Sequence, residues 1–148
     1  MSERMIVCSQ CGSVNRLPAE RSASSAKCGK CGGMLFKARP QDVDGAILRR
    51  HMERTTFPVL VDVWTPWCGP CQIMTPAYEA AARELEPDVV LLKLNSDVEQ
   101  SASTELGIRS IPTMVLFCGG RELGRVSGAM SAGRIIRWVR ERLPTAAA

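Results

Sequence analysis

Seven cysteines carry most of the chemistry available to this chain. Six fall into three Cys-x-x-Cys pairs, Cys8/Cys11, Cys28/Cys31 and Cys68/Cys71, and Cys118 is left over. That spacing brings two sulfurs within reach of each other or of a common ion, so each pair is suited to reversible disulfide exchange or to metal ligation. The stretch from Met1 to Val7 carries Glu3 and Arg4 and lacks an apolar central run, so no export signal is read and a cytoplasmic location is expected. In a reducing compartment structural disulfides are disfavoured, and the cysteines point to metal or to catalysis.

The first two pairs are sixteen residues apart, within the range of a tetrahedral all-thiolate zinc site of the ribbon type, with Cys8, Cys11, Cys28 and Cys31 as ligands. Gly12, Gly29 and Gly32 suit the tight knuckle turns of such a site. The segment 1–40 has few large apolar residues and a run of small ones at Ser22-Ala23-Ser24-Ser25-Ala26, so it has no core of its own. Zinc would supply folding free energy on the order of 10–16 kcal/mol. Two disulfides, or a redox-labile zinc site, are the alternatives. Arg4, Arg16, Arg21, Lys27, Lys30, Lys37 and Arg39 make the segment basic, but Phe36 is its one aromatic residue. The net charge of +4 is modest, and four thiolates around Zn²⁺ would lower it. Nucleic-acid binding is therefore not expected.

The third pair sits in Trp67-Cys68-Gly69-Pro70-Cys71, directly after the apolar run Val59 to Trp64. The run reads as a strand buried on both faces, and Pro70 suits the first turn of a helix. Cys68 then falls at or just before the helix N-terminus, where unpaired amides and the dipole favour a thiolate; it is the candidate nucleophile. Cys71, one turn further in, reads as the resolving thiol. Asp62 is a carboxylate where the strand calls for an apolar residue, and such a departure marks a functional position.

The elements that must hold these residues alternate. Asp42 to Arg54 reads as a helix, with Val43, Ala46, Ile47 and Met52 as its apolar positions. A second helix runs from Pro70 to about Glu86, kinked or restarted at Pro76. Val89 to Leu94 is a strand; Ser96 or Asp97 caps a third helix ending near Gly107. Thr113 to Phe117, a Gly119-Gly120 turn and Leu123 to Val126 form a hairpin, and Ser131 caps a last helix to Leu143, with Ile135-Ile136 and Trp138 on its buried face. The fold class is α/β, a sheet between helices ending in an antiparallel hairpin.

Val61-Asp62-Val63-Trp64-Thr65-Pro66-Trp67-Cys68-Gly69-Pro70-Cys71 resembles the active-site segment of thioredoxins. Lys93-Leu94-Asn95, Gly107 to Thr113 and Gly128-Ala129 are similar to further thioredoxin segments in the same order, so the likeness covers Gln41 to Leu143. Asn15-Arg16, Pro18 and Ala26 to Gly32 resemble the zinc-binding extension of the bacterial thioredoxin 2 group. The resemblance implies a thioredoxin fold with a mixed central sheet, a small N-terminal zinc-ribbon module over 1–40 and a thioredoxin domain over 41–148. It implies a protein-disulfide reductase that uses Cys68 and Cys71, with Asp62 as proton exchanger, Lys93 beside it and Pro112 in a cis bond facing the cysteines. Trp67, Gly69, Pro70, Ile111, Gly128 and Ala129 would form the substrate groove. The partners implied are disulfide-bearing proteins and a flavin- and NADPH-dependent thioredoxin reductase; the flavin and nicotinamide belong to that enzyme. Gln72 departs from the pattern, standing where many thioredoxins carry a basic residue. Gly69-Pro70 offers no histidine to stabilise the Cys68 thiolate, which favours a reductant.

Two other classes remain open on the sequence: a zinc-dependent binding module or holdase on the same scaffold, and a disulfide oxidase or isomerase. His51, at the end of a polar helix, reads as a surface residue, and Cys118 as a small buried or edge residue. No apolar run approaches the roughly 20 residues of a membrane span, and a monomer is expected.

Overall fold

The computed structural model describes residues 4–144; residues 1–3 and 145–148, at the outer ends of the two expected modules, lie outside the described residues. Its centre is a five-stranded mixed sheet ordered β3-β5-β4-β6-β7. β4 (Val59–Trp64) lies between β5 (Val90–Asn95), to which it is parallel, and β6 (Thr113–Cys118), to which it is antiparallel. β7 (Arg121–Ser127) closes the hairpin with β6, and the two-residue β3 (Gln41–Asp42) adds a parallel edge to β5. Strand periodicity sorts the side chains: Val59, Val61 and Val63 face one layer, Leu60 the other. The first layer holds α1 (Gly45–Arg54) and α3 (Gln100–Glu105); the second holds α2 (Gly69–Leu85) and α4 (Ala132–Arg142).

Four details differ from the sequence expectations. The first helix starts at Gly45 because Asp42 is taken into the sheet and Asp44 caps, accepting from the Ile47 N–H. α2 runs unbroken through Pro76; one lost backbone bond is outweighed by Met74, Tyr78, Ala81, Ala82 and Leu85, all buried on both sides of it. α3 starts at Gln100 without a side-chain cap, since Asn95 already turns the chain by accepting from the Asp97, Val98 and Glu99 N–H groups, while Glu99 accepts from the Gly45 N–H of α1. On α4, Ile135 is fully buried, but Ile136 and Trp138 are only partly covered. Arg142 stacks on the Trp138 ring, 4.6 Å from its centroid.

The N-terminal segment forms a hairpin of β1 (Arg4–Val7) and β2 (Val14–Leu17), then a short 3-10 turn at Ala23–Ser25 and a Lys27–Met34 bridge. It adds Ile6, Leu17, Leu35 and Phe36 to the same apolar cluster as Leu48, Phe57 and Val59. Thr55 and Thr56, after α1, complete the join: their hydroxyls accept from the Val7 and Met5 N–H groups, both at 3.0 Å. His51 corrects the surface reading. It is 1% exposed, because the hairpin covers this face of α1, and burial pulls its pKa down to about 4, leaving a neutral ring.

Phe36 packs on Phe57 with ring centroids 5.3 Å apart. Although it lies outside the α/β sandwich in sequence, Phe36→Ala should lower stability by about 3 kcal/mol in urea denaturation while leaving a single transition, as expected for a shared core.

Candidate active site and metal centre

Cys68 caps the N-terminus of α2: its backbone is extended, and its sulfur accepts from the Cys71 N–H at 3.2 Å. Its neighbours Gly69 and Pro70 open the helix and are exposed, while Cys71 is buried. The two cysteines are disulfide-bonded, with Cα atoms 5.2 Å apart. Opposite them the chain returns through a cis Ile111–Pro112 bond, which brings the Ile111 carbonyl oxygen to 3.9 Å from Cys68 Sγ. This loop is tied down from behind. The Pro112 carbonyl accepts from the Gly128 N–H, and Thr113 donates to the Ser110 carbonyl at 2.6 Å. Gly128, at φ +99°, makes a turn that L-residues rarely adopt.

Trp67 is 72% exposed beside Cys68, and its indole N–H donates to Asp97 at 2.8 Å, which fixes the ring over the surface. Gln72 turns back to donate to the Pro66 carbonyl at 2.7 Å, so it is spent locally, where a basic residue would project a charge.

On β4, Asp62 is 3% exposed and faces the α2 layer, as Leu60 does. One carboxylate oxygen, Oδ1, has no hydrogen-bond partner. Burial raises its pKa to about 7, against the positive charge of Lys93, its cross-strand neighbour on β5. The Lys93 ammonium rests over the Trp64 ring, 4.3 Å from its centroid. A carboxyl raised to about 7 is able to take up and release a proton near neutral pH, which suits it to proton exchange. Of the sequence-predicted set, Trp67, Cys68, Cys71, Ile111, Pro112 and Gly128 therefore meet at the start of α2 and the facing loop, while Asp62 and Lys93 form a cross-strand pair on β4 and β5.

The four N-terminal cysteines converge as well. Their sulfurs all lie within 4.8 Å of one another, with Cys8–Cys31 at 3.7 Å and Cys11–Cys28 at 3.6 Å. A tetrahedron with zinc–sulfur bonds of about 2.3 Å has sulfur–sulfur edges of about 3.8 Å, so the residues fit that ion. The two knuckles match: Gly12 and Gly32, at φ +82° and +78°, return N–H groups to the Cys8 and Cys28 carbonyls. Gly29 has a different job, donating its N–H to Asn15 Oδ1.

Two residues not counted among the site residues in the sequence reading emerge here. Asn15, quoted only as part of a motif, donates to Cys28 Sγ at 3.5 Å while holding Gly29, so one amide braces the second knuckle. Asp97, considered only as a helix cap, orients Trp67 instead. The signal for Asn15 was its place between the cysteine pairs; no local pattern marks Asp97.

Comparison with known proteins agrees with both halves. The thioredoxin family model matches residues 42–141, and a model described as the N-terminal part of thioredoxin 2, a zinc ribbon, matches residues 7–33. Thioredoxin C-3 of Corynebacterium nephridii is 34% identical over 139 residues, covering 94% of this chain and 95% of that protein. A thioredoxin of Synechocystis is 40% identical over 95 residues, 64% of this chain and 88% of the relative. Among solved structures, thioredoxin f of spinach chloroplast superposes with a TM-score of 0.64 at 31% identity, over 71% of this chain and 87% of its own. A mutant thioredoxin of Halobacterium salinarum gives 0.66 at 27% identity, over 75% and 96%. With the redox pair, the cis-proline loop and the buried carboxylate in one place, the chain belongs to the thioredoxin family of dithiol–disulfide oxidoreductases.

Proposed function

We propose that Cys68 is the attacking thiol and Cys71 the resolving thiol in the reduction of disulfides in other proteins. The observation that carries this division is their place on α2: Cys68 caps the open N-terminus beside the exposed Trp67 and accepts from the Cys71 N–H, while Cys71 lies within the first turn. The Cys68 thiolate attacks one sulfur of the substrate disulfide, forming a mixed disulfide and releasing the other as a thiolate that takes up a proton. Cys71 loses its proton to Asp62 and attacks Cys68 Sγ; the Cys68–Cys71 bond forms, and the second substrate sulfur leaves as a thiol. Two electrons and two protons pass to the substrate. The Ile111 backbone, beside Cys68, would pair with an extended substrate segment, with Trp67, Gly69, Pro70, Gly128 and Ala129 as the floor and rim. A flavin- and NADPH-dependent thioredoxin reductase would return the pair to its dithiol form.

The four-cysteine cluster reads as a structural zinc site, which when filled would cross-link the two knuckles and stabilise the fold. Residues 1–40 and 41–148 are then two modules that fold as one body. Among the described residues no helix is long and apolar enough to cross a membrane. The reducing chemistry favours action in the cytoplasm, as a monomer.

Four outcomes test these readings. The Cys68–Cys71 reduction potential, measured against dithiothreitol buffers, should fall near the roughly −270 mV of thioredoxins; a value above about −200 mV would make the pair a disulfide donor. Purified protein should hold one zinc per chain by elemental analysis, and chelating it at neutral pH should lower the melting temperature. Asp62→Asn should slow resolution of the mixed disulfide at pH 7 by about tenfold or more. The same substitution should also change stability with pH. A carboxyl whose pKa rises on folding stabilises below its unfolded pKa, and that contribution is lost as pH rises through about 7. The Asp62→Asn variant should therefore outlast the unmutated protein in urea at pH 8, by on the order of 3 kcal/mol more than at pH 4.

A further inference from the structure

The Cys8–Cys11 knuckle is fastened to α1 by side chains that neither ligate nor react. Arg50 Nε donates to the Gly12 carbonyl at 2.6 Å, and its neighbour His51 places Nε2 2.9 Å from Ser9 Oγ. The second contact is dry: His51, Ser9 and Thr55 are 1%, 6% and 3% exposed. Thr55 Oγ1 accepts from the Val7 N–H and also lies 2.9 Å from His51 Nδ1, so the ring is held at both nitrogens between two buried hydroxyls. The relay leaves the ribbon at Val7, crosses Thr55 and His51 and re-enters at Ser9, so the residues on either side of Cys8 are both fixed by the α/β domain. The Cys28–Cys31 knuckle is braced from within the ribbon, by Asn15.

We propose that His51 is a positioning residue of the zinc site: it holds the Cys8–Cys11 pair in ligating register from outside the ribbon, and retention of the metal depends on it. The proposal rests on the zinc reading above. Its physical basis is preorganisation. A knuckle already held in place gives up less freedom when it ligates, and removal of such outer partners commonly weakens metal binding by about 10–100-fold.

The test is the rate at which full-length, zinc-loaded protein yields its metal to the chromophoric chelator 4-(2-pyridylazo)resorcinol. Ser9→Ala and His51→Leu should each speed release about tenfold, and the double variant should be no faster than His51→Leu, because both cut one bond. His51→Gln, whose amide reaches the place of Nε2, should release within about threefold of the unmutated rate although it cannot hold Thr55. Should His51→Leu fail to fold, Ser9→Ala and His51→Gln decide. Unchanged release in Ser9→Ala, multiplying effects in the double variant, or His51→Gln as fast as His51→Leu would overturn the proposal. Unmutated protein that never holds zinc would overturn the metal assignment itself.

Discussion

A carboxylate with an unpartnered oxygen inside a β-sheet is costly to hold, and the surroundings of Asp62 show how that cost is contained. The Tyr78 hydroxyl, near enough to feel the Asp62 charge, is committed elsewhere: Tyr78 donates to the Leu60 and Leu92 carbonyls, bridging β4 and β5. Were Tyr78 to turn toward Asp62, it would stabilise the anion and pull its pKa back toward the ordinary carboxylate range. Lys93 has the opposite charge at the next strand, yet its ammonium sits over Trp64, so it moderates the shift without cancelling it. The result is a group that titrates near neutrality because nothing binds its proton-free form well.

The same economy governs the thiols. α2 offers its open N-terminus to Cys68, and the facing loop offers the Ile111 carbonyl, an acceptor that does nothing for a thiolate. One side favours the anion and the other withholds further support. A thiolate held too well attacks poorly, because nucleophilicity falls with pKa, and it leaves too readily. A histidine between the cysteines would have tipped this balance, and Gly69-Pro70 keeps it where a reductant needs it.

Much of this was legible in the sequence because the informative residues are local violations. Asp62 breaks an apolar strand, and Cys68 marks a strand-to-helix switch; neither needs tertiary knowledge to be noticed. The four-cysteine spacing is equally self-contained. His51 was misread for a definite reason: helical periodicity assigns a polar side chain to water, and no pattern within Gly45–Arg54 reveals that a hairpin some forty residues upstream covers that face. Asn15 and Asp97 were overlooked likewise, since an amide bracing a sulfur or a carboxylate bracing an indole depends on what folding brings near. The short α3 shows the converse limit, where capping residues were present but Asn95 had already used the turn.

The ribbon meets the α/β domain far from the chemistry. Its anchors, Arg50, His51, Thr55 and Thr56, lie where α1 gives way to the start of β4, whereas Cys68 follows the other end of that strand, roughly 20 Å away at about 3.3 Å per residue. At that distance the cluster does not touch the reacting sulfurs, and its charge is screened at the surface. What it shares with the redox site is material: Ile6, Leu17 and Phe36 pack in the same cluster as Val61 and Val63, the strand residues flanking Asp62. A polar cleft of about 480 Å³ also runs from Ser9 and Gln10 to Lys93, the charge that tempers Asp62. The physical links between the ribbon and the redox site are thus the shared packing against β4 and the cleft that reaches Lys93, and a carboxylate kept in an apolar strand is sensitive to both.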